Sequence, residues 1–127
     1  MVVVIKLVFC LRRRAELSRE EFQRHWRDTH APLVHQHGAA LGIRRYVQVH
    51  TLPTGTSAAL AASRAVEEEE YDGVAELWWD SLDALAAAVA TPDGQRAGAE
   101  LLEDERRFID LSRSPIFLAE EHVVLDG

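Results

Sequence analysis

The hydrophobic pattern changes period along this chain, and each change marks an element. Val2 to Leu11 is dense in β-branched residues and short for a helix, which predicts a first strand. Its odd positions, Val3, Ile5, Leu7, Phe9 and Leu11, form one face, and Val2, Val4, Lys6, Val8 and Cys10 form the other. Only Lys6 breaks the apolar character, so both faces are expected to be covered. Ser18 and Glu21 make an S-x-x-E capping box that opens a helix, in which Phe22, Trp26, Thr29 and Leu33 share one stripe. Pro32 lies inside that helix and removes a backbone donor, which predicts a kink or restart between Thr29 and Pro32 before the helix ends near Gly42.

Ile43 to His50 alternates, with Ile43, Val47 and Val49 opposing Arg44, Tyr46, Gln48 and His50, and reads as a strand with one polar face. Residues 51–71 turn to Pro, Gly, Thr, Ser and Ala and end in Glu67 to Glu70; such a connection is a flexible loop or a lid, with room for a short alanine-rich helix. Gly73 to Trp79 is a third strand, with Ala75, Leu77 and Trp79 opposing Val74, Glu76 and Trp78. Ser81 caps a helix whose apolar stripe is Leu82, Leu85, Ala86 and Val89, and Thr91 with Pro92 opens another helical stretch to about Arg106. Ile116 to Leu125 reads as the last strand, entered through Pro115.

Strand, helix, strand, strand, helix, strand is the ferredoxin-like βαββαβ order, an α+β fold with a four-stranded antiparallel sheet in a single domain over residues 1–127. The helices of such a fold cover one face of the sheet, yet the first strand is apolar on both faces and the third carries a tryptophan on each. A second copy packed sheet against sheet is the economical cover, so a homodimer forming an α+β barrel is expected.

Composition narrows the function classes. The 127 residues are 47% hydrophobic, enough for the core of one domain, and 21 acidic against 14 basic side chains give a net charge of −7. That balance argues against nucleic acid and anionic membranes as partners. Cys10 is the single cysteine, which excludes an internal disulfide and a cysteine-based zinc site within one chain. His35 and His37 are two apart on a helix and diverge, and there is neither a Gly-rich phosphate loop nor an HExxH motif, so neither a metal nor an organic cofactor is expected. The apolar run Val2 to Val8 is broken by Lys6 and followed by Arg12 to Arg14, unlike a signal peptide, and no stretch is long enough to span a bilayer; a cytoplasmic protein is expected.

If the first-strand face bearing Lys6 points away from the helices, the space between two sheets receives Lys6, Val8, Cys10, Tyr46, Gln48, His50, Glu76 and Trp78. Lys6 and Glu76 are then partners, as a structural ion pair or a catalytic one. His30 sits where Pro32 disturbs the helix; it is a candidate acid or base, the alternative being a helix-end histidine bonded to a carbonyl. Tyr46 is a candidate ligand contact, because a phenol both donates and accepts. Trp26 fits a core position or a stacking surface, and Cys10 a small hydrophobe or a nucleophile.

Three stretches, SREEFQRHWRDTHAPLV at 18–34, YDGVAELWWDS at 71–81 and RRFIDLSRSPIFLAEEHVV at 106–124, together resemble the EthD family. The resemblance rests on W-x-x-x-H-x-P (Trp26, His30, Pro32) followed by a DG-x-A-E strand (Asp72, Gly73, Ala75, Glu76). It implies a ferredoxin-like fold that dimerises into an α+β barrel. It further implies a small-molecule role in catabolism or secondary metabolism: decarboxylase or dehydratase chemistry, a loosely assigned oxidoreductase, or an accessory dimer of a degradation pathway. His30, Asp72 and Glu76 match the family's histidine and acidic strand positions. Similar barrels include haem proteins, and haem binding here would require a histidine on the barrel wall.

Overall fold

A computed structural model describes residues 4–127. The sheet has four antiparallel strands in the order β2-β3-β1-β4. These are β1 (Ile5–Leu11), β2 (Arg45–His50), β3 (Gly73–Trp79) and β4 (Ile116–Ala119). The helices are α1 (Arg19–His25), α2 (Ala31–Leu41), α3 (Gly55–Ser63), α4 (Leu82–Ala90) and α5 (Pro92–Phe108). The expected α+β, ferredoxin-like architecture is what forms. Val2 and Val3 of the expected first strand lie outside the described residues, and the strand begins at Ile5.

β4 is shorter than its apolar sequence predicts. Among the described residues it pairs only with β1, from Lys6 opposite Ala119 to Phe9 opposite Ile116. Glu121 instead accepts a hydrogen bond from Trp78 Nε1 at 2.6 Å, and Val124 and Leu125 are exposed. The 51–71 connection contains α3, which is capped by Thr54 and buries no residue.

The first helix begins as expected, with the Ser18 and Glu21 capping box in place. The effect of Pro32 is specific: α1 passes into α2 through one π turn, Trp26–His30, in which the Ala31 N–H reaches back to the Trp26 carbonyl. The extra residue in that turn moves the buried stripe from the expected Phe22, Trp26, Thr29 and Leu33 to Phe22, Trp26, His30 and Val34. Thr29 is exposed and Leu33 only half-buried. Past Leu41 the chain turns on Gly42, whose φ of 70° is a left-handed cap that other residues adopt at a cost.

α1, the π turn, α2 and α5 cover one face of the sheet. The core there joins Phe22, Trp26, Phe108 and Ile109 to Leu11 and Ala75, and Val34 and Leu41 to Ala97 and Leu101. On α4 the expected stripe is displaced: Leu82 and Val89 are exposed, and Ala84, Leu85 and Ala88 are the half-buried positions.

Candidate functional site

Strand register settles which side chains share a face. Lys6, Val8 and Cys10 stand opposite Trp78, Glu76 and Val74, which stand opposite Arg45, Val47 and Val49 on β2. These residues form the face away from the helices. Tyr46, Gln48 and His50 alternate with them and therefore point at the helices, which corrects their expected placement between two sheets. Alternation gives two faces without saying which one the helices cover. The expected pocket thus divides in two, with Trp26 and His30 joining the helix-side group.

On the open face Lys6 Nζ lies 2.6 Å from Glu76 Oε2 and 3.6 Å from Glu121 Oε2, so the predicted ion pair forms. The hydrogen bond that Lys6 donates to Glu76 leads the interactions that raise its ammonium above its ordinary value, against the opposing effect of burial. Lys6 and Arg45 both lie over the Trp78 ring, at 5.1 and 4.6 Å from its centroid. Cys10, toward the other end of β1 and opposite Val74, is half-buried, and burial pushes its thiol up, away from the reactive thiolate. Asp72 is apart from both groups. Its carboxylate accepts from the Arg13 backbone N–H at 2.8 Å, from Arg13 at 2.7 Å and from Arg19 at 3.0 Å, which makes it a clasp for the end of the 51–71 connection.

On the helix side the π turn delivers His30 into the interior, only 5% exposed. Its Nδ1 lies 2.8 Å from Asp104 Oδ2 on α5, and its Nε2 lies 3.9 Å from Glu105 Oε2. Asp104 also takes His25 Nε2 at 3.1 Å and Arg107 at 3.3 Å. Burial works to raise the Asp104 carboxyl, but its hydrogen bonds with His30 and His25 and their charge offset this and leave it below its ordinary value. An ionised Asp104 can only accept, so His30 Nδ1 carries the hydrogen and, in the neutral ring, Nε2 is the basic nitrogen. Burial holds the His30 ring below the ordinary imidazole value, against the opposing pull of Asp104.

A cavity of about 50 Å³ lies between sheet and helices, lined in part by His30, Glu105, Tyr46, Trp26, Val34 and Leu77. Tyr46 is held by Gln48, whose Nε2 donates to the Tyr46 oxygen at 2.8 Å and to the Trp26 carbonyl at 2.9 Å. The Tyr46 oxygen is thereby an acceptor within the protein, and its own hydrogen is available to a ligand. Burial raises the Tyr46 hydroxyl to about 12, so it acts as a neutral donor. His50 closes the row, with Nε2 2.8 Å from Gln48 Oε1 and its ring stacked on Trp26 at 4.5 Å. A porphyrin is far larger than this cavity, and both His30 nitrogens face carboxylates, so the residues do not fit a haem.

Asp104 and Glu105 are the residues of the candidate site that the sequence does not single out. A signal existed: Ala97, Leu101, Asp104 and Phe108 recur at helical spacing, which places an aspartate inside the buried stripe of α5.

Comparison with known proteins fits this architecture. Among curated proteins none matches the chain. An EthD family protein from Bacillus halodurans is 21% identical with a TM-score of 0.61, the match covering 94% of this chain and 100% of that one. SnoaB, a cofactor-independent oxygenase from Streptomyces nogalater, is 14% identical with a TM-score of 0.52, over 99% of this chain and 100% of its own. A hydroxynitrile lyase from Passiflora edulis is 7% identical with a TM-score of 0.59, again over 99% and 100%. At these identities the likenesses show a shared fold. The EthD domain pattern itself matches residues 14–112, and with that match over most of its length the chain belongs to the EthD domain family.

Proposed function

We propose that this protein is a homodimeric small-molecule enzyme that performs acid/base chemistry of the decarboxylation, dehydration or isomerisation type, with no metal or organic cofactor, on a carbonyl-bearing ring metabolite. The observation that carries the reading is the Asp104 to His30 contact of 2.8 Å beside a cavity, which leaves a histidine nitrogen basic, oriented and sheltered from bulk water. Tyr46 supplies a donor for the carbonyl oxygen. That SnoaB is a cofactor-independent oxygenase and the Passiflora protein a lyase supports small-molecule chemistry on this fold.

At about 50 Å³ the cavity alone holds one or two water molecules. Val34 and Tyr46 also line a surface cleft of about 440 Å³ that includes His35, Ile43 and Arg45. A ring seated in that cleft reaches His30 once the Val34 and Tyr46 side chains part.

The open sheet face supports dimerisation. Val8, Val47 and Val74 are half-buried there, while Val49 and Phe117 are 44% and 51% exposed, an apolar surface around the Lys6 and Glu76 ion pair.

The test is solvent-deuterium exchange at the α-carbon of ring ketones in D2O, followed by proton NMR. Wild type is expected to exchange, and His30→Gln to lose at least about 100-fold of the rate. A His30→Gln protein that is folded and exchanges at the wild-type rate removes His30 from the chemistry.

A further inference from the structure

Glu105 follows Asp104 on α5, but it lines the cavity and its carboxyl lies 3.9 Å from His30 Nε2, whereas Asp104 is occupied by two histidines and Arg107. Among the described residues no lysine or arginine forms an ion pair with Glu105, and the nearest titratable nitrogen is His30 Nε2 at 3.9 Å. Tyr46 faces it from β2, and Asp104 and Arg106 flank it on its own helix. The cavity thus contains a basic nitrogen, a second group able to carry a proton and a hydroxyl donor, set among Phe9, Leu11, Leu77, Leu101 and Ile109. A structural carboxylate would be expected to hold a cation or a backbone N–H. This one holds neither among the described residues, and burial together with the charge of Asp104 raises it to about 7, where it keeps its proton near neutrality.

We propose that Glu105 is the second proton-carrying group of the site, paired with His30 so that one proton is removed from, and another returned to, an enolisable ring ketone that reaches the pair from the Val34 and Tyr46 cleft. The proposal rests on the reading of His30 as the acid/base group and narrows it to proton relocation within the substrate. With a β,γ-unsaturated ketone the steps balance. His30 Nε2 takes the α proton; the C–H electron pair forms a C=C bond and the carbonyl pair moves to oxygen, which Tyr46 stabilises by donating its hydrogen bond. The dienolate then takes the Glu105 proton at its γ carbon and becomes the α,β-unsaturated ketone. His30 now holds one proton more and Glu105 one fewer, and transfer of one proton across the gap restores both. No oxidant, reductant or further reactant is consumed. The apolar walls matter because bulk water would exchange the proton before it was returned.

The probe is 3-cyclohexen-1-one, a six-membered ring whose conversion to 2-cyclohexen-1-one is read by ultraviolet absorbance, while α-exchange in D2O is read by NMR. Wild type is expected to do both, and Glu105→Gln to slow conjugation at least tenfold more than it slows α-exchange. Equal effects on both rates, or conjugation at the wild-type rate, overturn the role of Glu105 while leaving that of His30. Wild-type exchange by His30→Gln overturns the underlying acid/base reading. A wild type that neither exchanges nor conjugates the probe overturns the substrate class. Independently of any substrate, the Glu105 carboxyl carbon is expected to titrate near neutral pH, with the His30 ring nitrogens responding over the same range and losing that response in Glu105→Gln. Titration in the ordinary carboxylate range with no response from His30 overturns the pairing.

Discussion

His30 and Asp104 meet across the gap between the π turn and α5, with Nδ1 2.8 Å from Oδ2, although 74 residues separate them in the chain. The contact determines which ring nitrogen is basic, and the same carboxylate binds His25 and Arg107. Asp104→Asn keeps the shape but removes the charge that two histidines share. It is expected to cost on the order of 3 kcal/mol in urea unfolding, as removal of one member of a buried charged network does. Nitrogen NMR of His30 is expected to show one tautomer in wild type and a mixture in the variant. A single Nδ1–H tautomer in Asp104→Asn would remove Asp104 from its positioning role.

Glu105 makes a pH-dependent contribution of opposite sign to the usual carboxylate. Its folded value is raised to about 7 from 4.5, so between these the folded state binds more protons than the unfolded one, and stability falls as pH rises. Glu105→Gln is therefore expected to match wild type near pH 4 and to melt higher at pH 8, by roughly 5 °C or more. His30 works the other way: its folded value is depressed, so its contribution is present above pH 6.5 and is lost as pH falls through the folded value. Melting curves of wild type and Glu105→Gln across pH 4 to 8 separate the two, and parallel curves would contradict the burial argument.

Gly73 begins β3 where the Trp26 ring lies against the backbone. A Cβ there would meet Trp26 Cη2 at 2.8 Å and the Val49 carbonyl oxygen at 2.8 Å, and neither atom belongs to a side chain free to swing away. Gly73→Ala is expected to destabilise the protein by about 2 kcal/mol or more and to displace Trp26, disturbing its stack on His50. Chemical denaturation with tryptophan fluorescence measures both, and an unchanged midpoint would show that the strand yields more easily than this packing allows.

The open sheet face carries the prediction about assembly. Val49 and Phe117 are exposed on it, on the two edge strands β2 and β4, and replacing both by glutamate puts charge into the apolar surface that an isologous contact would bury. Val49→Glu with Phe117→Glu is expected to sediment as a folded monomer while wild type sediments as a dimer. Wild type that is monomeric at every concentration would remove the homodimer from the proposed function.

Much of the fold was legible because its signals are local. The Ser18 and Glu21 box, the Ser81 and Thr91 caps and the Gly42 turn each act within one helical turn of the residues that form them, and each stands where the sequence places it. The candidate site was legible only in pieces. His30 was identifiable as a candidate acid or base near a break in a helix and Tyr46 as a ligand contact on a strand, but the acidic partners of His30 were not, because α5 is distant in the chain and Asp104 reads as one more polar residue outside the context of the buried stripe.

By itself the sequence determined the element order, the caps, the two-faced first strand and the presence of a disturbance near Pro32, since these follow from side-chain period and backbone chemistry within a few residues. Tertiary structure alone decided three things. It chose the sheet face that the helices cover, sending Tyr46, Gln48 and His50 inward and Lys6 and Glu76 outward. It resolved the proline's disturbance into a π turn, whose extra residue exchanged Thr29 for His30 on the buried stripe. It brought Asp104 and Glu105 to opposite nitrogens of that histidine. Periodicity states which residues share a face, whereas the identity of that face and the partners it meets depend on packing between distant elements.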